Sequence, residues 1–425
     1  MRRWLILIAC AVSAVAGLGV GSPSLASATT GTIGTSGTSG TSGTSGNASA
    51  PTDVYTPVIA QLLGDTHPRA VKGTDGKYHA LYELVITNAR PVTATIQSVA
   101  VVNAADTTTV IEQLQGADLL AHLRSLDTKQ ATDGTIEPNG TRILLVDLDF
   151  ATQADVPKAT MHTFSVLGQN NPGSKEPTAG TYTITNVPFN GPAIRTLAAP
   201  LRGDHWVVTN GCCGVAAAHR KTILPVNGAL YDAQRWAIDY LQLDPQGHFF
   251  EGDEHDVKSY AYYGADIHSV ASGVVVGSLD GQPDQVPGQL PDPSTINVQN
   301  VDGNHVVVDI GGGQYVFYAH MVPGSVAVKV GDKVTAGQVL GKLGNTGNTS
   351  APHLHIHVMN SASVLGSMGL PYVIGSFQLA GQVDGAAFAA ATGVEGDYGA
   401  GVQTTPEART KQFPLDLNIL NFPAK

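Results

Sequence analysis

The chain has 425 residues, enough for two ordinary domains and a tail. Its formal net charge of −11 argues against nucleic acid as a partner, because no basic stripe is available to meet phosphates. Charged residues make up only 13%, about half the usual share, while 49 glycines and 24 prolines punctuate a sequence rich in Val, Thr and Ala; that composition favours strands and turns over long helices.

In chain order, residues 1–28 read as an export signal. "MRRW" supplies positive charge, "LILIACAVSAVAGLGV" an apolar core, and "ASA" at Ala26–Ala28 a small-residue cleavage site. The apolar run before Cys10 is short for lipidation at that residue, so cleavage is the preferred reading. Residues 29–52 follow as a Gly/Ser/Thr repeat that has no apolar area to bury and reads as a flexible tether. No later segment approaches 18 continuous apolar residues, so the mature chain is expected to be exported, periplasmic or extracellular and cell-wall associated, with no stable membrane span.

From residue 53 to 195 the pattern is that of a β-sandwich-like domain. "HALYELVIT", "TATIQSVAVV", "TRILLVDLDF" and "HTFSVLG" are short strand-like runs separated by turn residues, and "GADLLAHLRSL" is one brief helical candidate. His67, His79, His122 and His162 stand apart from one another and read as surface or turn residues. A second domain is expected over 196–375, mainly antiparallel β, with a C-terminal extension over 376–425. Within it "GNHVVVDIGGGQYVFYAHM" reads as a hairpin turning at the three glycines 311–313. Cys212 and Cys213 are the only cysteines after the leader; in an oxidising compartment they could bond to each other or pair between chains.

The chemistry concentrates at "PHLHIHV". His353, His355 and His357 alternate, and side chains two apart on a strand share a face. A zinc hydrolase needs three protein ligands with a position left open, a group to take a proton from water, and a group to stabilise an oxyanion. Asp239 in "AQRWAIDY", His320 in "FYAHM" and the alternating histidines are the candidates.

From Tyr231 to Met359 the sequence resembles the lysostaphin/LytM-type zinc endopeptidases, which cut peptide bridges of bacterial peptidoglycan. The pieces that carry the likeness are "AIDY", "YYGADIHSVASGVVV", "GNHVVVDIGGGQYVFYAHM", "VKVGDKVTAGQVLGKLGNTG" and "PHLHIHV", in that order. The resemblance implies a small antiparallel β-sheet domain with a groove, Zn2+ held by Asp239 and His355, and His353 and His320 as the catalytic pair. In that scheme His353 is the general base on a zinc-bound water and His320 stabilises the transition state. Peptidoglycan peptide stems or bridges are the implied partner. One departure stands out: where the family's compact first motif has a ligand histidine, four residues before the aspartate, this chain has Arg235, which stays charged and cannot bind a metal. A related branch carries "HR" upstream of a "PVNG" stretch, as in "AAHRKTILPVNGALYDAQRWAIDY" here, and so implies His219 as the third ligand. His357 is expected beyond the metal, orienting a ligand. Two other readings remain: an inactive LytM-type protein that binds cell wall or activates a separate hydrolase, and a carrier domain suggested by "VGDKVTAGQVLGKLG". The leader and the histidines oppose the carrier reading.

Overall fold

The computed structural model describes residues 53–391 and 394–423. The leader, Cys10 and the repeat over 29–52 lie outside the described residues. No helix among the described residues is long and apolar enough to cross a membrane. The chain is mainly β, as its composition predicts.

The first unit is a sandwich of two five-stranded sheets. One is built on Tyr78–Asn88 and Thr141–Phe150, the other on Ala94–Asn103 and Ala159–Gly168. Alternation sets the core. Ala80, Tyr82, Leu84 and Ile86 point inward with Leu144, Val146 and Leu148, and meet Val99, Val101, Phe164 and Val166 of the other sheet. The intervening residues of the first sheet are buried too. Ile143 and Leu145 pack with Ile223 and Met368 of the second unit, and Leu81 joins its main core. The two units thus share a closed boundary. The helical run expected near residue 116 forms, as Gly116–His122.

The second unit centres on a 12-stranded sheet. Four neighbouring strands matter for the site. Gly203–Thr209 pairs with Ile238–Gln242, which pairs with Leu354–Met359, which pairs with Tyr315–Met321, each junction antiparallel. The hairpin predicted around the three glycines is present, joining Asn304–Asp309 to Tyr315–Met321. One pair departs from the antiparallel rule: Arg195–Leu197 runs parallel to the start of Tyr372–Gln382. The last strand, Asn418–Phe422, inserts beside Gly203–Thr209, and Phe413 packs edge-on against Trp236 and Tyr372. The last described residues are therefore part of the central sheet and its core.

Three expectations about side chains change. His162 is fully buried rather than at the surface, hydrogen-bonded to the Tyr82 hydroxyl at 2.8 Å. His79 is buried as well, against Asp75, and His122 is partly covered and reaches Asp147 at 3.0 Å. In the acidic stretch 251–264, Tyr260 and Tyr262 turn into the core.

Candidate metal centre

Sheet register assembles the site. Thr209, Asp239, His355 and Ala319 lie opposite one another across four strands, which makes a single row. Residues so placed have side chains on the same face. Nδ1 of His355 accordingly lies 2.8 Å from Oδ1 of Asp239. His219 enters from outside the sheet, on the short 3-10 turn His219–Lys221. Its Nε2 is 3.4 Å from Oδ2 of Asp239. The donor atoms of His219, Asp239 and His355 all fall within 4.8 Å of one another, and so do those of His320, His353 and His355.

Two histidines and a carboxylate at this spacing suit a tetrahedral zinc, whose bonds of about 2.0–2.2 Å set neighbouring ligand atoms roughly 3.4 Å apart. Arg235 takes no part. It lies in the turn before the strand Ile238–Gln242, and its side chain is buried against Glu83 and Asp232. The residue types and the geometry thus fit a cation held by His219, Asp239 and His355.

Backbone carbonyls settle which ring nitrogens face the centre. Nδ1 of His219 donates to the carbonyl of Ala237, Nδ1 of His320 to that of Thr346, and Nδ1 of His353 to that of Ala351. Each Nε2 is left with its lone pair. Nε2 of His353 sits 3.5 Å from Oδ1 of Asp239, and the His320 and His353 rings are 4.6 Å apart. His355 is different. Its Nδ1 faces Asp239 and its Nε2 lies 2.9 Å from Nδ1 of His357. A neutral ring has one proton for these two places. On Nδ1 it bonds Asp239; on Nε2 it bonds His357 and frees Nδ1 for a cation.

Burial dominates the electrostatics. It drives the pKa of His355 down to about 4 and holds His320 and His357 well below the usual histidine range, with neighbouring histidines adding to the effect. Burial alone would also discharge His219, but the Asp239 carboxylate outweighs it and raises the pKa. For Asp239, burial is opposed by His219 and His353, which keep the carboxyl well below its ordinary value.

The structure therefore gathers every residue singled out in the sequence: His219, Asp239, His320, His353 and His355, with His357 behind. All are at most 4% exposed. The strip 344–351, which supplies carbonyls to His320 and His353, is tied to the long segment 281–303. The ties are Gln285 to Asn345, Gly288 to Ser350 and Asn348 to Val301. Sequence reasoning missed Asn210, whose Nδ2 donates to Oδ2 of Asp239 at 2.8 Å. Its only signal is the Asn-Gly pair of "TNGCC", and Asn210 does adopt the left-handed conformation at φ 54° that such a pair favours. Cys212 and Cys213, just beyond, are bonded to each other.

Residues 255–365 match the model of peptidase family M23. That match contains His320, His353 and His355 and begins after Asp239. Among solved structures, the catalytic domain of the antimicrobial peptidase lysostaphin from Staphylococcus simulans is 24% identical. That alignment covers 34% of this chain and 80% of that one, with a TM-score of 0.21. A mutant catalytic domain of the prophage-encoded M23 protein EnpA from Enterococcus faecalis is 20% identical, covering 41% of this chain and 93% of that one at a TM-score of 0.24. By the family match, residues 255–365 of this chain carry a domain of peptidase family M23.

Proposed function

We propose that this protein is an exported zinc-dependent endopeptidase that hydrolyses peptide cross-links of bacterial peptidoglycan. The observation that carries the reading is the meeting of His219, Asp239 and His355 beside His353 and His320, the last three of these histidines lying within the stretch that matches peptidase family M23. The leader at 1–28 supports export to the cell-wall compartment.

A zinc ion held by His219, Asp239 and His355 would polarise a peptide carbonyl and acidify water. The chain's own groups do the rest. Nε2 of His353 takes a proton from the attacking water and later passes it to the leaving amine; the Ala351 carbonyl fixes the tautomer that leaves this nitrogen able to accept. His320, oriented by the Thr346 carbonyl, stabilises the oxygen that gains charge when its Nε2 also carries a proton. Asn210 holds the second oxygen of Asp239, and His357 holds the far nitrogen of His355.

The test is zinc content of the purified mature chain by mass spectrometry, with muropeptide release from isolated walls. Near-stoichiometric zinc and release abolished by His353→Ala are expected. Little zinc and no release would sink the enzyme. One observation favours a second reading, a cell-wall binding or hydrolase-activating protein without activity of its own: the six polar side chains of the site are almost entirely buried. Wall binding without muropeptide release would select it.

A further inference from the structure

His219 sits in a stretch with little secondary structure of its own, between the Cys212–Cys213 bond and the short strand Leu224–Val226. The residue next to it is held partly by the other unit. Arg220, the next residue, turns its guanidinium away from the metal centre and across the boundary. Its Nη2 donates to Oε1 of Glu83 at 3.0 Å and to the Val146 carbonyl at 3.3 Å, while Nη1 reaches the Cys213 carbonyl at 3.2 Å. Arg235 approaches the other oxygen of the same carboxylate, Nη2 to Oε2 at 2.5 Å. The Arg220 contact is an aligned hydrogen bond; that of Arg235 is a charge contact without that alignment. All three side chains are at most 2% exposed.

Glu83 faces the boundary because of strand alternation. Tyr82 and Leu84, on either side of it, fill the sandwich core, so residue 83 must point the other way. There it is surrounded by the apolar contacts of Leu81, Ile143 and Leu145 with the second unit. One carboxylate of the sandwich thus grips the residue after His219 and the residue four before Asp239.

A buried ion cluster explains little about net stability, since apolar side chains of equal volume often pack such a boundary as well or better. Apolar packing lacks one thing, a directional hold on the backbone at residue 220. His219 itself has one bond to orient it from behind, Nδ1 to the Ala237 carbonyl at 3.2 Å. We propose that Glu83 is a positioning residue for the metal centre, holding His219 in place through Arg220 and fixing the start of the Asp239 strand through Arg235. The sandwich then completes the site rather than merely accompanying it. Arg235 has a use here that a histidine at that position would not have, as the second arm on Glu83.

This inference rests on the reading of His219 as a metal ligand, and a four-way comparison separates the two. The mature chain, its Glu83→Gln and His219→Ala variants and the double variant are titrated with zinc against a chromophoric chelator. Cobalt spectra report the ligand geometry, and far-UV circular dichroism reports the fold. Glu83→Gln is expected to stay folded, to change the cobalt spectrum, and to weaken zinc binding about 10- to 100-fold. The double variant is expected to lose clearly less than the sum of the two single losses, because one of the two arms of Glu83 acts through His219. Wild-type zinc affinity in folded Glu83→Gln, or losses that add in the double variant, overturn the proposal. Unchanged affinity in His219→Ala removes the ligand reading and the proposal with it. If Glu83→Gln fails to fold, the pair Glu83→Gln with Arg220→Gln removes one charge of each sign and leaves Arg235 facing Asp232. It should show the same zinc loss, and wild-type affinity there is again fatal.

Discussion

Asp239 and His355 are direct cross-strand partners, and their side chains touch at 2.8 Å although 116 residues separate them in the chain. The other residues of the candidate metal centre are arranged around this pair. The Asp239 carboxylate also faces His219 and His353, at 3.4 and 3.5 Å.

Asp239→Asn is expected to lower zinc affinity by at least about 100-fold, more than the outer positions do, because it removes a ligand charge as well as a bond. His357→Gln should cost less, about 10-fold, since it touches only the far nitrogen of His355. Chelator competition at fixed pH measures both; the reverse order would refute the assignment of inner and outer roles.

Metal removal should show in stability before any assay of activity. A ligand that binds only the folded chain stabilises it by about 4 kcal/mol when its free concentration is 1,000 times its dissociation constant. Calorimetry with excess zinc and then with chelator is expected to give a lower melting temperature for the stripped protein, restored by adding zinc back. Identical melting curves would count against a site built by His219, Asp239 and His355.

His353→Ala and His320→Ala should separate chemistry from metal binding. Each is expected to keep most of the bound zinc and to lose about 10²- to 10⁴-fold in muropeptide release. Zinc lost along with activity in His353→Ala would mean that His353 is a ligand, as its place in the second histidine group also allows.

The sandwich should respond to acid through His162. Burial pushes its pKa down to about 4, against 6.5 for an ordinary histidine, with its ring held between the Tyr82 hydroxyl and the Thr185 carbonyl. A depressed pKa favours the neutral folded form. Its contribution is complete above pH 6.5 and is lost as pH falls toward 4, up to about 3 kcal/mol. Urea unfolding between pH 7 and 4 is expected to show this slope, and His162→Gln to flatten it. An equal slope in both proteins would exclude His162 as the cause.

Phe413→Ala is expected to destabilise the second unit by about 3–5 kcal/mol, because the ring is fully buried between Trp236 and Tyr372. A shift within about 0.5 kcal/mol in chemical denaturation would show that the last described residues pack loosely.

Much of this was legible in the sequence for local reasons. Alternation in "HALYELVIT" and "TRILLVDLDF" placed two sandwich strands, and the glycines 311–313 placed a hairpin turn. The same alternation put His355 and His357 on one face, and there they are hydrogen-bonded. The final strands were harder. The run from Val402 to Gln412 alternates weakly, with half-buried and exposed residues and no buried stripe, because its contacts lie at the edge of the sheet.

By itself, then, the sequence determined which residue types could do chemistry and which strand faces they share, because those follow from spacing along one chain. Motif likeness added His219 as a candidate, but only folding could bring its ring to Asp239. The role of Arg235 was decided entirely at the tertiary level. Asp232 stands three residues before it, but its closer acid partner is remote: Glu83, which also binds Arg220 across 137 residues, is isolated in an apolar strand. A buried carboxylate becomes tolerable only when its partners arrive from elsewhere, so its meaning exists only in the folded molecule.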